Sequence, residues 1–195
     1  MSYSQNDEEK YILAYFGDRD GICLDIGAYN GKTMSNTHQL ILNGWRGVLI
    51  EPSPKPFIDC LELYRGNENV ILVNAAIQPE GGNGLVKFYD SNGDAVNTMN
   101  EAHRQLWSKD VKYQPYYTTA VTIDEIYEEV GIRVYNFINL DVEGMNYAIL
   151  KTLDLSMTEL VCVEFENQYA NCISYLSGLG FHLIHSNSEN IIMGR

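Results

Sequence analysis

The sequence has no apolar run near the roughly 20 residues that a membrane-crossing helix needs, so nothing in it points to a bilayer span. It has no Cys-x-x-Cys pair and no Cys/His cluster. The cysteines Cys23, Cys60, Cys162 and Cys172 are scattered, which leaves both zinc and a disulfide framework without support and fits a reduced cytoplasm. Cys23 and Cys162 fall in apolar strand-like runs, where a free thiol packs as a small hydrophobe. Positive charge is scarce: 13 Lys and Arg stand against 26 Asp and Glu, a formal net charge of -13, with a pI near 4.6. Nucleic-acid backbones and anionic membrane surfaces are held by clustered cations. The cations here are dispersed, so neither kind of partner is expected. There is no internal repeat, no low-complexity tract and no Pro/Ser-rich linker, and the opening residues MSYSQNDEEKY are polar and acidic, unlike a signal peptide.

What is present suits one compact α/β domain over residues 1–195, with 45% hydrophobic residues. Apolar runs alternate with helical patterns. Residues 22–26, 48–51, 70–75, 137–141 and 160–164 read as strands, and 33–43 and 54–64 as helices, with Gly44 and Gly66 as stops. Residues 182–185 and 191–193 read as a final antiparallel pair joined by the polar turn 186–189. Such alternation implies a mostly parallel sheet with helices on both faces. Ligands then sit beyond the carboxyl ends of the strands, where Asp25, Glu51, Asn74, Asp141 and Glu164 all fall. Residues 78–120 differ: two glycine-rich turns, the run KYQPYY and a short strand at 85–89 read as an irregular insertion, a lid and acceptor-pocket wall.

The stretch ICLDIGAYNGKTMSNTHQLILNGWRGVLIE is a strand, a glycine-bearing turn, a helix and a second strand closed by a carboxylate. Glycines let backbone approach a nucleoside cofactor, and an acid at the second strand's end holds ribose hydroxyls. A dinucleotide site reads G-x-G-x-x-G and aims a helix N-terminus at pyrophosphate. Here the spacing is G-x-x-x-G, and Asp25 precedes it. That carboxylate would repel phosphate but suits a cofactor with a cationic amino-acid end, as S-adenosylmethionine has.

DIGAYNGKTMSNT, NGWRGVLIEPSPKPF, VTIDEI and FINLDVEGMNYAILK, in that order, resemble the FkbM-type S-adenosylmethionine-dependent methyltransferases, from about residue 4 to about residue 166. The resemblance implies a Rossmann-like class I methyltransferase fold. It also implies O-methylation of a small-molecule acceptor, a hydroxyl of a sugar or natural-product-like metabolite, with S-adenosylhomocysteine as product. The sequence departs from the family at Asn139, where a lysine is usual.

The expected cofactor contacts are Asp25, Gly27, Ala28, Tyr29 and Gly31 in the turn, then Glu51, Pro52 and Ser53, then Asn74, Ala75 and Ala76 around the adenine, and Asp141. Glu51 can accept both ribose hydroxyls through its two oxygens, and Pro52 and Pro54 fix the chain after it. The plainer alternatives are a loop carboxylate satisfied by turn amides for Asp25, a ligand-free tight turn for the glycines and a solvated strand end for Glu51. Asp141 and Glu143 are the expected catalytic pair, since neighbouring buried carboxylates have raised pKa values that suit a general base. Their alternative role is to cap the helix expected from Asn146. Glu164 and Glu166 follow the fifth strand and are secondary candidates. His38 reads as structural or exposed, His182 and His185 as structural, and His103 as a lesser proton-acceptor candidate. Tyr113, Tyr116 and Tyr117 either face the acceptor or pack the lid. No metal is assigned, because two acids alone are a weak metal signature. Two rival readings remain: a cofactor-binding module without catalysis, and a nicotinamide-dependent oxidoreductase, against which the missing G-x-G-x-x-G counts.

Overall fold

The computed structural model describes residues 2–81, 84–91, 97–101, 104–105, 108–109 and 112–195. In chain order the elements are α1 (Glu8–Phe16), β1 (Ile22–Ile26), α2 (His38–Leu42), β2 (Arg46–Ile50), α3 (Pro54–Leu63), β3 (Val70–Val73), β4 (Ala76–Ile77), β5 (Gly84–Asp90), β6 (Gln114–Val121), α4 (Ile123–Val130), β7 (Phe137–Leu140), α5 (Asn146–Leu150), β8 (Leu160–Glu164), α6 (Tyr169–Gly178), β9 (His182–Ser186) and β10 (Asn190–Gly194).

Seven strands form one sheet in the order β3-β2-β1-β7-β8-β10-β9. The pairs from β3 to β8 are parallel, and β10 runs antiparallel to β8 and β9. This is the expected fold class. The central strands are apolar except for Asp25, Asn139 and Glu164 near their carboxyl ends, because the sheet is covered on both faces. Successive side chains alternate between those faces. Leu24, Ile26, Ile138, Leu140, Val161 and Val163 meet Ile126 of α4, Ile149 and Leu150 of α5, and Leu176 of α6. Cys23, Leu49, Phe137, Leu160 and Cys162 meet Ile12 and Phe16 of α1, Leu40 and Ile41 of α2, and Trp45. Asp25 and Asn139 are two residues on from Cys23 and Phe137, so both belong to this second face. No helix among the described residues is long and apolar enough to cross a membrane.

A smaller sheet, β4-β6-β5, sits apart from the large one. β4 is parallel to β6 and β5 antiparallel to it. Its core is Ala76, Phe88 and Ala120, with Val86, Met99 and Tyr116 against it.

Several sequence expectations need correction. The helix expected over residues 33–43 shrinks to α2. The chain first makes a side-chain-held turn: Asn30 Oδ1 accepts the amides of Lys32 and Thr33 at 3.1 and 2.8 Å, Met34 has φ 58°, and Ser35 Oγ accepts the amide of His38 at 3.0 Å. Short polar side chains compete with helical hydrogen bonds in this way. The strand expected over 70–75 ends at Val73, and the one over 137–141 at Leu140. The segment 78–120 is less irregular than expected, since QPYYTTAV forms β6 and pairs with β5 along its length. Its aromatic and β-branched residues fit a pleated surface. α1, α4 and α6 have no counterpart among the helices expected from sequence. α4 carries a readable signal, the capping box between Thr122 and Glu125.

Candidate active site

The carboxyl ends of β1, β2, β7 and β8 open into a cavity of about 530 Å³, lined by Asp25, Gly27, Ala28, Tyr29, Glu51, Pro52, Ser53, Ala75, Ala76, Asp141, Glu143, Glu164 and Glu166. Its size is typical of small-molecule sites. Phe88, Asn97 and Met99 form the wall contributed by the segment 78–120, while Gln5, Asn167 and Glu189 reach it from distant parts of the chain.

Gly27 shows how the strand ends are held together. Its φ is 90°, and its amide and that of Ala28 donate to the Ile50 carbonyl at 2.9 and 3.0 Å. A Cβ here would lie 1.7 Å from the Asp141 carbonyl oxygen. Only glycine allows β7 to come this close to the turn.

Glu51 is 7% exposed. Oε2 accepts the Tyr29 amide at 2.9 Å and Oε1 the Ser53 amide at 2.7 Å. Tyr29 has φ 49°, an uncommon value for a non-glycine residue. Burial pushes the Glu51 pKa up to about 7, against the opposing pull of its hydrogen bonds to Ser53 and Tyr29. Each oxygen keeps acceptor capacity beyond its one amide. A ribose diol suits that capacity, because hydroxyl donors would favour the ionised form. The carboxylate is fastened to the turn, which the solvated-strand-end alternative does not allow.

Asp25 is 1% exposed and accepts from two side chains, Thr37 Oγ1 at 2.5 Å and Asn139 Nδ2 at 2.8 Å. Burial raises its pKa, and these two bonds oppose the rise. Its partners are side chains and not the turn amides of the alternative reading. Behind Asn139, Asn36 Nδ2 donates to Asn139 Oδ1 at 2.9 Å, and Asn36 Oδ1 is buried with no hydrogen-bond partner among the described residues. Such an orphan costs about 1–3 kcal/mol.

Two expected cofactor contacts lie outside the cavity lining. Gly31, with φ 75°, faces Tyr64 and Cys60, where a Cβ would meet Tyr64 Cε2 at 2.8 Å. It serves the packing of the turn onto α3. Asn74 turns back and donates from Nδ2 to the Glu51 carbonyl at 2.8 Å, so it braces the end of β2 and does not face the adenine region.

Asp141, Glu143 and Glu164 each place a carboxylate oxygen within 4.8 Å of the others. The turn that carries the first two is tied at several points. Val142 N–H donates to Asn146 Oδ1 at 2.8 Å and Asn146 Nδ2 to Glu164 Oε2 at 3.1 Å, and the Gly144 amide donates to Glu166. Thr98 Oγ1 donates to the Glu143 carbonyl at 2.7 Å and Asn100 Nδ2 to the Gly144 carbonyl at 2.9 Å, latching the 97–100 segment to this turn. Burial raises the pKa of Asp141 first, and the neighbouring Glu143 charge adds to it. Burial and the Asp141 charge raise Glu164. Asp141 and Glu164 therefore hold their protons more tightly than free carboxyls do. Neither acid caps α5, whose N-cap is Met145 with no side-chain cap bond. The three oxygen donors could also hold a hard divalent cation.

The other candidates fall elsewhere. His38 is buried at the start of α2, with Nδ1 2.7 Å from the Tyr64 hydroxyl. That hydroxyl donates to the Gly31 carbonyl at 2.8 Å, so His38 Nδ1–H is the donor in the first bond. His185 sits 2.9 Å from Asp7 and stacks on Tyr11. His182 is exposed. His103 lies outside the described residues. Of the tyrosines, Tyr116 donates to the Pro52 carbonyl at 3.2 Å, Tyr113 pairs with Tyr89, and Tyr117 is 67% exposed. Sequence reasoning missed Thr37, Asn36, Asn97 and Gln5. Asn97 Nδ2 donates to Ser53 Oγ at 2.7 Å, a contact across the chain that no local pattern announces.

The fold has relatives among solved structures. A methyltransferase FkbM from Methylobacillus flagellatus superposes with a TM-score of 0.58 at 13% identity, over 90% of this chain and 44% of that one. The present chain thus spans under half the length of that relative. A precorrin-6y C5,15-methyltransferase from Geobacter metallireducens gives 0.52 at 14% identity, over 95% and 84% of the two chains. A putative methyltransferase from Pseudomonas syringae gives 0.52 at 10% identity, over 98% of each. At such identities the likeness shows the fold. No curated protein matches the chain. Residues 25–183, most of the chain and all of the strand ends described above, match the methyltransferase FkbM domain. The chain belongs to the FkbM methyltransferase family.

Proposed function

We propose that this domain transfers a methyl group from S-adenosylmethionine to a hydroxyl of a small acceptor, a sugar or natural-product-like metabolite. The observation that carries the reading is the buried Glu51 carboxylate, fastened by two backbone amides beside one cavity that also holds Asp25 and Asp141. In this reading Glu51 accepts from the ribose hydroxyls, Asp25 faces the amino-acid end, and Ala75 and Ala76 lie along the adenine. The bound cofactor would supply an electrophilic sulfonium methyl. Asp141 and Glu143 orient the acceptor hydroxyl and take its proton, a contribution of typically about a hundred- to ten-thousand-fold. Because charge disperses along an in-line transfer, alignment at ~3 Å and exclusion of water matter more than strong fields. The segment 78–120, through Phe88, Asn97 and Met99, acts as the cover that excludes water and shapes the acceptor end within a single domain. The acidic surface disfavours nucleic-acid acceptors.

The test is calorimetric titration with S-adenosylmethionine and S-adenosylhomocysteine, with NAD as control. Micromolar binding of both adenosyl ligands, lost in Glu51→Ala and absent for NAD, is the expected result. Absence of adenosyl-ligand binding by the wild type would overturn the proposal.

A further inference from the structure

We propose that Asn139, held from behind by Asn36, positions the Asp25 carboxylate for the cationic amino-acid end of the cofactor; this rests on the S-adenosylmethionine reading above. The parallel register of β1 and β7 sets Asp25 directly opposite Asn139. Both point to the face covered by α1 and α2, and the amide reaches the carboxylate across the strand gap at 2.8 Å. Thr37 Oγ1 takes the other carboxylate oxygen. Asp25 therefore has one rotamer fixed from both sides, on a strand end that lines the cavity.

The direction of the amide chain is informative. An ionised carboxylate only accepts, so Asn139 must present Nδ2 to it and Oδ1 to Asn36. Asn36 must then answer with its own Nδ2. The chain of donors runs towards Asp25, and the unmatched acceptor is left at the far end, on Asn36 Oδ1. Both donors to Asp25 are uncharged, and among the described residues no salt bridge includes it. A cation at position 139 would neutralise the carboxylate before a ligand arrived. An amide orients the carboxylate without supplying a counter-charge, which is left for the ligand's ammonium group.

The experiment compares two ligands on the full chain by calorimetry: S-adenosylmethionine, and 5′-methylthioadenosine, which has the same nucleoside without the amino-acid end. Asn139→Ala is expected to weaken S-adenosylmethionine at least about tenfold, the scale of one hydrogen bond to a charged group, and to leave methylthioadenosine within twofold. Thr37→Val removes the second donor and is expected to show the same selective loss, so the proposal stays testable if Asn139→Ala fails to fold. Equal losses for both ligands would assign Asn139 a merely structural role and overturn the inference. Unchanged S-adenosylmethionine affinity would overturn it too. A wild type that binds neither ligand would instead sink the function proposed above, and this inference with it.

Discussion

Glu51 meets two opposed demands. Burial disfavours its charge, which is why its pKa rises from 4.5 to about 7, while a ligand that donates hydroxyls needs that charge. The sign follows directly. Between pH 4.5 and about 7 the folded protein holds a proton that the unfolded chain has released, so this group's contribution to stability falls as pH rises through that window and then levels off. Ligand affinity moves the other way. If only the ionised form is competent, S-adenosylhomocysteine should bind about tenfold more tightly at pH 8 than at pH 6, as titration calorimetry at both values can read. Gly27 has a simpler constraint. With φ at 90° and the Asp141 carbonyl 1.7 Å from any added Cβ, Gly27→Ala should lose at least about 4 kcal/mol and fail to give a cooperative thermal transition. Both residues were legible in the sequence because a carboxylate ending a strand and a glycine opening the next turn are local patterns. Asn74 and Gly31 were misread because the same local pattern does not say which way a side chain turns. Asn74 finds the Glu51 carbonyl, and Gly31 faces the ring of Tyr64.

Among the elements, those set by burial were the easiest to read. Apart from Asp25, Asn139 and Glu164, β1, β7 and β8 are apolar because helices cover both of their faces, and no exposed residue interrupts them. The elements that resisted are those in which side chains compete with backbone. Residues 33–43 read as one helix, yet Asn30 and Ser35 draw the amides of Lys32, Thr33 and His38 into a turn before α2 begins. β6 resisted because tyrosines and a proline obscured its alternation. α4 depends on its cap: Thr122 Oγ1 accepts the Glu125 amide, and Glu125 Oε2 accepts the Thr122 amide at 2.7 Å. Thr122→Ala should therefore remove about 1 kcal/mol, seen as a fall in melting temperature of about 2–4 °C for a chain of this size. A helix held only by its apolar face would show no such fall.

For the molecule as a whole, Cys23, Cys60, Cys162 and Cys172 are free and buried. Burial raises the pKa of Cys23, Cys60, Cys162 and Cys172 alike, so their reactive thiolate is suppressed. An aromatic disulfide reagent should therefore titrate essentially none of them rapidly in the native state and all four free cysteines after unfolding in guanidinium; fast native labelling would mean that the packed faces open. Part of the cavity lining was less legible at this scale, because Gln5, Glu189 and Asn97 come together only when distant segments meet. The strand order carries one further consequence, for synthesis of the chain. β10 is formed by residues 190–194, yet it lies between β8 and β9, inside the sheet. A nascent chain holds β8 with one bare hydrogen-bonding edge, and β9 with no neighbour at all, until residue 194 has left the ribosome. An unpaired apolar edge is a template for another strand, so the interval before β10 docks is when a newly made chain is most open to pairing with the wrong partner.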